Sequence, residues 1–189
     1  MLKKQQIDLR NHLKILQNEF SYDILYNRAT KYIKCRCFDA VYKSGDPKCP
    51  ICSGAGYGTS LEKMRIIEYT PTKTGLQQAE FGEYNDRTKT FFMTYRDVPK
   101  EKDFIIILRW NKDKTPSNVM EVYQVQSAIP VRGDRGRIEF YSVKACLAPD
   151  MRQQFGRNLP RLPRQVKRAL AEGKRYVWPI QNNKSNSKL

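Results

Sequence analysis

Residues 64–147 contain five short apolar segments: MRIIEY (64–69), TFFMTY (90–95), FIIILRW (104–110), VMEVYQVQS (119–127) and RIEFYSVKACL (137–147). Turn-forming residues separate the segments, including Gly133 and Gly136 between the last two. Short apolar segments at this spacing are typical of strands joined as hairpins. The sequence therefore predicts a mainly β protein built around a small antiparallel β-barrel or sandwich.

The residues ahead of this region predict an N-terminal helix. Apolar residues recur there at spacings of four, three and four, at Leu9, Leu13, Leu16 and Phe20. This spacing places them on one face of a helix. His12, the only histidine, lies beside that face, and we expect it to pack against the face or to lie at its rim. The run 24–33 mixes β-branched and aromatic residues with polar ones, which predicts a short strand leading into the cysteines.

Four of the five cysteines form two close pairs, Cys35-x-Cys37 and Cys49-x-x-Cys52, with eleven residues between the pairs. Two such pairs joined by a loop can bring four thiolates onto one tetrahedral zinc ion. The sequence therefore predicts a zinc-ribbon-like knuckle that holds structural Zn²⁺ through Cys35, Cys37, Cys49 and Cys52. Two disulfides or four inert thiols are the alternatives.

The short spacer of the first pair leaves one ligand position open to substitution. Asp39, Asp46 or water could replace one of its two cysteines. Four thiolates on a divalent ion leave two negative charges, which nearby cations can offset. Those cations are Lys34, Arg36 and Lys48. Cys146, at the end of the last apolar segment, is expected to be a buried thiol.

The chain is strongly basic, and the excess lies near its C-terminus. The 189 residues include 35 Lys and Arg against 19 Asp and Glu, a net charge of +16. Residues 151–189 carry ten basic side chains and one acidic side chain, that of Glu172, a net charge of +9. We expect an extended basic arm with a short helix from about Arg164 to Glu172, either disordered or laid along a partner. Its charge suits a polyanion or an acidic protein surface.

Membrane and enzyme classes are disfavoured. The longest apolar run, 104–108, is far shorter than the roughly 20 residues of a membrane-spanning helix. The first residues lack the apolar stretch of a secretory signal, so we expect an intracellular location. A single histidine offers little for a Ser/His/Asp site, and Glu80, Glu83 and Asp86 lie in a polar region typical of a surface loop. We therefore expect no catalytic residues and no enzymatic activity.

These patterns divide the chain into four segments. Residues 1–34 are the N-terminal helix and lead-in, and residues 35–60 are the zinc knuckle. Residues 61–150 are the β-barrel, and residues 151–189 are the basic C-terminal arm. The length of 189 residues allows one ordinary domain with a small module or tails.

Asp46 to Gly56 resembles the Asp-Pro-x-Cys-Pro-x-Cys-x-Gly-x-Gly knuckle of head–tail connector, or neck, proteins of tailed bacteriophages. Met93 to Leu108 and Val122 to Tyr141 are similar to the barrel of head-closure proteins, so the resemblance covers about residues 35–147. It implies a structural virion protein, assembled in the host cytoplasm, that forms a homo-oligomeric ring around the DNA channel. The portal or adaptor and the tail proteins would be its partners. The resemblance does not account for the basic arm, whose charge suits either the packaged DNA or an acidic protein surface.

A nucleic-acid-binding protein is the alternative. A zinc-ribbon protein of transcription, replication or translation would also be basic and would also carry a cysteine knuckle. Against it, the aromatic residues of the middle region lie in alternating strands, where they more often form a core than a stacking platform for bases. The sequence also lacks the aromatic RNA-binding motif of a common RNA-binding module.

Overall fold

A seven-stranded antiparallel sheet forms the centre of the molecule, and six of its strands close into a barrel. The computed structural model describes residues 8–46, 49, 56–69, 88–133 and 136–178. The strands are β1 (Tyr22–Lys34), β2 (Tyr57–Tyr69), β3 (Thr88–Thr94), β4 (Phe104–Trp110), β5 (Pro116–Arg132), β6 (Ile138–Leu147) and β7 (Tyr176–Trp178). The helices are α1 (Leu9–Phe20), α2 (Pro149–Asn158) and α3 (Arg164–Ala171), with a 3₁₀ turn at Leu159–Arg161 between the last two.

The barrel closes because β1 pairs with two different strands. The strand order is β1-β4-β5-β6-β3-β2, and β1 pairs with β2 as well, with Tyr22 opposite Ile66 and Thr30 opposite Gly58. β7 pairs with β2 on the same edge as β3 does, and Val177 lies opposite Ser60. Closure leaves the six strands without an open edge where they pair. The prediction of a mainly β protein with a small antiparallel barrel and an N-terminal helix is confirmed.

Three strands are longer than the sequence predicts, and one of them, β5, has 17 residues where a strand over 119–127 was expected. β4 coincides with the predicted segment 104–110, but β1 has 13 residues where a short strand was expected. β2 begins at Tyr57 and not at Met64. Its first half buries polar residues, Thr59 and Ser60, so that half shows no apolar alternation in the sequence. The barrel therefore runs from 22 to 147 and includes residues assigned to the lead-in and the knuckle.

The barrel interior is filled from all six strands. Its buried members are Ile24, Tyr26, Met64, Ile66, Phe91, Met93, Ile105, Tyr123, Val125, Tyr141, Val143 and Ala145. Phe91 and Tyr123 meet edge to face with ring centroids 5.5 Å apart, a favoured arrangement for aromatic rings. Alternate strand residues point to opposite faces, so the neighbours of these residues lie on the outer wall of the barrel.

A second apolar cluster lies between the outer wall and the C-terminal helices. The wall contributes Leu25, Leu61, Ile106, Leu108 and Val122, and the helical segment contributes Leu159, Val166 and Leu170. This corrects the expectation of an extended arm for residues 151–189, because residues 149–178 fold back onto the barrel. The reason is an apolar stripe at spacings of three and four: Met151, Phe155, Leu159, Leu162, Val166 and Leu170. Residues 179–189 lie outside the described part.

Helix α1 packs on the outside of the barrel with only part of its apolar face. Leu13 is buried, whereas Leu16 is 45% exposed and Phe20 is 64% exposed. The Asp8 side chain caps the helix by accepting from the Asn11 backbone N–H at 3.4 Å. None of the helices in the described ranges is long and apolar enough to cross a membrane.

A polar network joins four strands beside the inner core. Lys89 Nζ lies 2.8 Å from Glu68 Oε1 and 3.2 Å from Glu121 Oε2. The Tyr22 hydroxyl donates to Glu68 at 2.6 Å, and the Tyr123 hydroxyl donates to Glu121 at 2.8 Å. Burial is the main cause that raises the pKa of Tyr123 to about 12, and the hydrogen bond to Glu121 adds to it. Burial and the hydrogen bond to Glu68 likewise raise the pKa of Tyr22.

The free energy of unfolding is expected to fall as the pH rises above about 10. Tyrosines in the unfolded chain ionise near pH 10, whereas Tyr123 in the folded chain keeps its proton until about pH 12. Between these values the folded state binds more protons, so a rise in pH favours unfolding. Urea unfolding at pH 9, 10 and 11 measures the effect. Tyr123→Phe should make the fall shallower, and an unchanged slope in this variant would contradict the assignment.

Candidate metal centre

Cys35, Cys37 and Cys49 lie on the loop between β1 and β2, at one end of the barrel. Cys35 directly follows β1, and Tyr57, the first residue of β2, pairs with Lys34, the last residue of β1. Antiparallel neighbours bring the end of one strand beside the start of the next. The loop is therefore closed at its base, which returns Cys49 to the neighbourhood of Cys35 and Cys37.

Three cysteines lie close enough to bind one metal ion. The sulfur atoms of Cys35, Cys37 and Cys49 all lie within 4.8 Å of one another, and Cys35 Sγ is 3.7 Å from Cys49 Sγ. A disulfide would bring two sulfurs to about 2.05 Å. Two thiolates about 2.3 Å from a shared tetrahedral ion lie about 3.8 Å apart. The Cys35–Cys49 separation matches the second arrangement.

The backbone around the cysteines is held by short hydrogen bonds. The Cys35 N–H donates to the Gly56 carbonyl at 2.9 Å, and the Phe38 N–H donates to the Cys35 carbonyl at 3.0 Å. On the other side of the loop, the Cys49 N–H donates to the Asp46 carbonyl at 2.9 Å. Both Cys35 and Cys49 are buried. The thiols are thus placed by backbone contacts on both sides of the loop.

Gly56 allows the two sides of the loop to meet. Its φ is +74°, in the left-handed region that favours glycine. A Cβ at this position would lie 2.9 Å from the Gly45 nitrogen, from a ring carbon of Phe38 and from the Ser44 carbonyl carbon. Any other residue here would therefore have an unfavourable φ, and its Cβ would clash with backbone atoms of the loop. The Phe38 ring also contacts Tyr57, with centroids 5.2 Å apart, so β2 supports the loop.

A tight turn projects from the loop between the first pair of cysteines and Cys49. Asp39 and Ser44 form an isolated β-bridge, and the Asp39 carboxylate accepts from the Val41 N–H at 2.7 Å and from the Tyr42 N–H at 3.2 Å. The tip leaves Val41 83% exposed and Tyr42 79% exposed. The turn therefore presents two large apolar side chains to solvent. Neither stands out in the sequence, because the exposure comes from the turn.

The predicted alternative ligands do not join the cluster. Among the described residues, the group of side chains within 4.8 Å contains only cysteines. The Asp39 carboxylate is occupied by the turn, and Asp46 contacts Cys49 through its backbone carbonyl. Cys52, the fourth predicted ligand, lies outside the described residues.

Two of the three cations predicted to offset thiolate charge lie in the described part of the chain. The Lys34 ammonium lies 4.9 Å from the centre of the Phe38 ring, at the edge of the loop. Arg36, between the first two cysteines, is exposed. Lys48 is outside the described part of the chain. Positive charge therefore lies on the residues that flank Cys35, where it lowers the cost of adjacent thiolates.

The remaining candidate residues lie elsewhere. Cys146 is half-buried on β6, where its thiol faces the Leu147 carbonyl at 3.8 Å. His12 is exposed on α1, at the end of β1 away from the cysteines. The carboxylates Glu80, Glu83 and Asp86 fall outside the described ranges.

Comparison of the sequence with protein-family models gives no match, and comparison with curated proteins gives none either.

Proposed function

We propose that the protein is a structural component of a tailed-bacteriophage neck, forming a ring between the portal and the tail around the DNA channel. The observation that carries the proposal is a cysteine cluster attached to a closed six-stranded barrel. The resemblance to connector proteins implies the same combination of a cysteine knuckle and a small barrel. The virion is the corresponding location, and portal or adaptor and tail proteins are the corresponding partners.

The metal in this proposal is structural Zn²⁺, held by Cys35, Cys37, Cys49 and Cys52. Soft thiolate ligands favour zinc over the hard cations magnesium and calcium. The 3.7 Å separation of two sulfurs fits the edge of a tetrahedral zinc site. Cys52 follows Cys49 by three residues, the spacing common in such sites, and would supply the fourth ligand. When bound, the ion would lock the loop between β1 and β2.

Two exposed apolar surfaces support assembly into a ring. One lies on α1, at Leu16 and Phe20, and the other lies at the turn tip, at Val41 and Tyr42. α1 precedes β1 and the turn follows it, so the 13 residues of β1 separate the two surfaces by roughly 40 Å along the strand. Head-to-tail rings need two different contact surfaces on each copy. The two ends of this molecule offer such a pair.

Mass photometry of the purified chain is expected to show one dominant multiple of 22.2 kDa, as a closed ring would give. Phe20→Ser and Tyr42→Ser should each shift the population toward monomer, because each removes an apolar contact from one end. Lys14→Ser, an exposed polar change on α1, is the control and should leave the multiple unchanged. A strict monomer at all concentrations, in the presence of zinc, would overturn the ring.

The position of the gene provides a second check on the neck assignment. We expect portal and tail genes beside it. Polymerase or ribosomal genes there, combined with a monomer that binds oligonucleotides, would favour the zinc-ribbon nucleic-acid-binding alternative.

A further inference from the structure

A row of arginines follows the C-terminal helical segment on its exposed side. Arg157, Arg161, Arg164 and Arg168 recur at spacings of four, three and four residues, and all four are exposed. Arg168 pairs with Glu172 at 3.2 Å. Within the described residues, the other three make neither an ion pair nor a side-chain hydrogen bond. Three guanidinium groups of this row are thus available to a ligand.

The segment that carries the arginine row packs against the barrel wall. Val166 and Leu170 of α3 and Leu159 of the 3₁₀ turn are buried against the barrel wall, so their helical faces cannot rotate. Arg164 and Arg168 lie one turn apart on the opposite face of α3. Arg157 lies in the last turn of α2, Arg161 ends the 3₁₀ turn and Arg164 begins α3, so each arginine is three or four residues from the next. The arginines are therefore held at close, defined positions.

The local charge balance differs from that of the barrel. Several cations of the barrel have carboxylate partners: Lys63 pairs with Asp23 at 2.7 Å, and Arg137 pairs with Glu139 at 2.7 Å. Residues 149–178 instead contain eight Lys and Arg against two acidic residues. Like charges one helical turn apart destabilise a helix. A surface that keeps such repulsion suits a polyanionic ligand.

We propose that this arginine row binds the phosphate backbone of double-stranded DNA. A duplex carries closely spaced phosphates along its length, so several can meet a row of guanidinium groups at once. Arginine matches the geometry of phosphate through two parallel N–H donors, which favours phosphate contacts over simple charge attraction. The contact is with the backbone and carries no base preference. It does not depend on the proposed ring, since it uses neither α1 nor the turn tip.

The test is fluorescence anisotropy of a labelled 25-base-pair duplex with the full chain between 50 and 200 mM NaCl. The wild type should bind, with affinity falling steeply as salt rises. The variant R157Q/R161Q/R164Q should bind about 100-fold more weakly at 100 mM salt. Its slope of log affinity against log salt should be shallower by about 2.7, since each phosphate contact contributes about 0.9.

The control variant R109Q/K14Q/K112Q removes the same charge from exposed positions elsewhere. It should retain most of the affinity and salt slope. Equal losses in both variants would overturn the proposal, because binding would then depend on net charge alone. Failure of the wild type to bind at 50 mM salt would also overturn it, as would equal affinity for poly-glutamate of matched charge. Mass photometry of the same samples reports ring assembly separately, so the two proposals can fail independently.

Discussion

Replacing Leu170 with alanine is expected to lower the free energy of unfolding by about 2–5 kcal/mol, the usual range for removing a buried leucine side chain. Leu170 has no exposed surface and packs in the cluster between the C-terminal helices and the barrel wall. The change leaves a cavity that the rigid wall can fill only in part. Urea unfolding followed by tryptophan fluorescence measures it, since Trp110 packs against the same cluster.

Gln165→Ala is the matched control for this experiment. Gln165 lies on α3 but is exposed, so its replacement should change the free energy of unfolding by no more than about 0.5 kcal/mol. If Leu170→Ala were as mild as the control, α3 would not be docked on the barrel. The helical segment would then belong to a separable arm, as the sequence predicted for residues 151–189.

Replacing Cys49 with serine is expected to abolish metal binding. The wild type should contain about one zinc per chain by elemental analysis, and the variant should contain none, because serine does not provide the thiolate that zinc prefers. Structural zinc sites in small zinc-finger peptides have apparent binding energies of about 10–16 kcal/mol. We therefore expect a large fall in thermal stability for the variant, and a similar fall for the wild type after chelation.

Cys146→Ser provides the control for the metal experiment. Cys146 lies on β6, apart from the cluster, so this variant should keep one zinc per chain and respond to chelation as the wild type does. Purified wild type with no bound metal after refolding with zinc would contradict the site. Metal loss on Cys146→Ser equal to that on Cys49→Ser would contradict the assignment of the ligands.

The predictions from sequence succeeded where one segment carried its own signal. The apolar run 104–110 becomes β4 at the same bounds, and the spacing of Leu9 to Phe20 becomes α1. The cysteine spacing anticipated that Cys35, Cys37 and Cys49 would meet, and these three do lie together. For β4 and α1 the pattern depends on side chains within a few residues of one another.

The C-terminal segment shows where the sequence analysis stopped short. Its basic residues and prolines favour an exposed arm, and Pro160 and Pro163 break the helical periodicity that would reveal the apolar stripe from Met151 to Leu170. In the structure these prolines lie in the 3₁₀ turn and just before α3, so the stripe stays against the barrel. The prolines thus redirect the chain without removing its apolar face.

Residue types and local spacing were enough to predict the β class, the cysteine cluster and the excess of positive charge. Closure of the barrel depended on long-range pairing. Leu25 of β1 lies opposite Ile106 of β4, and β2 pairs along the other edge of β1. The docking of α3 also followed from contacts between distant parts of the chain. Burial is a property of the assembled surface, and a short segment read alone does not reveal which of its faces another segment will cover.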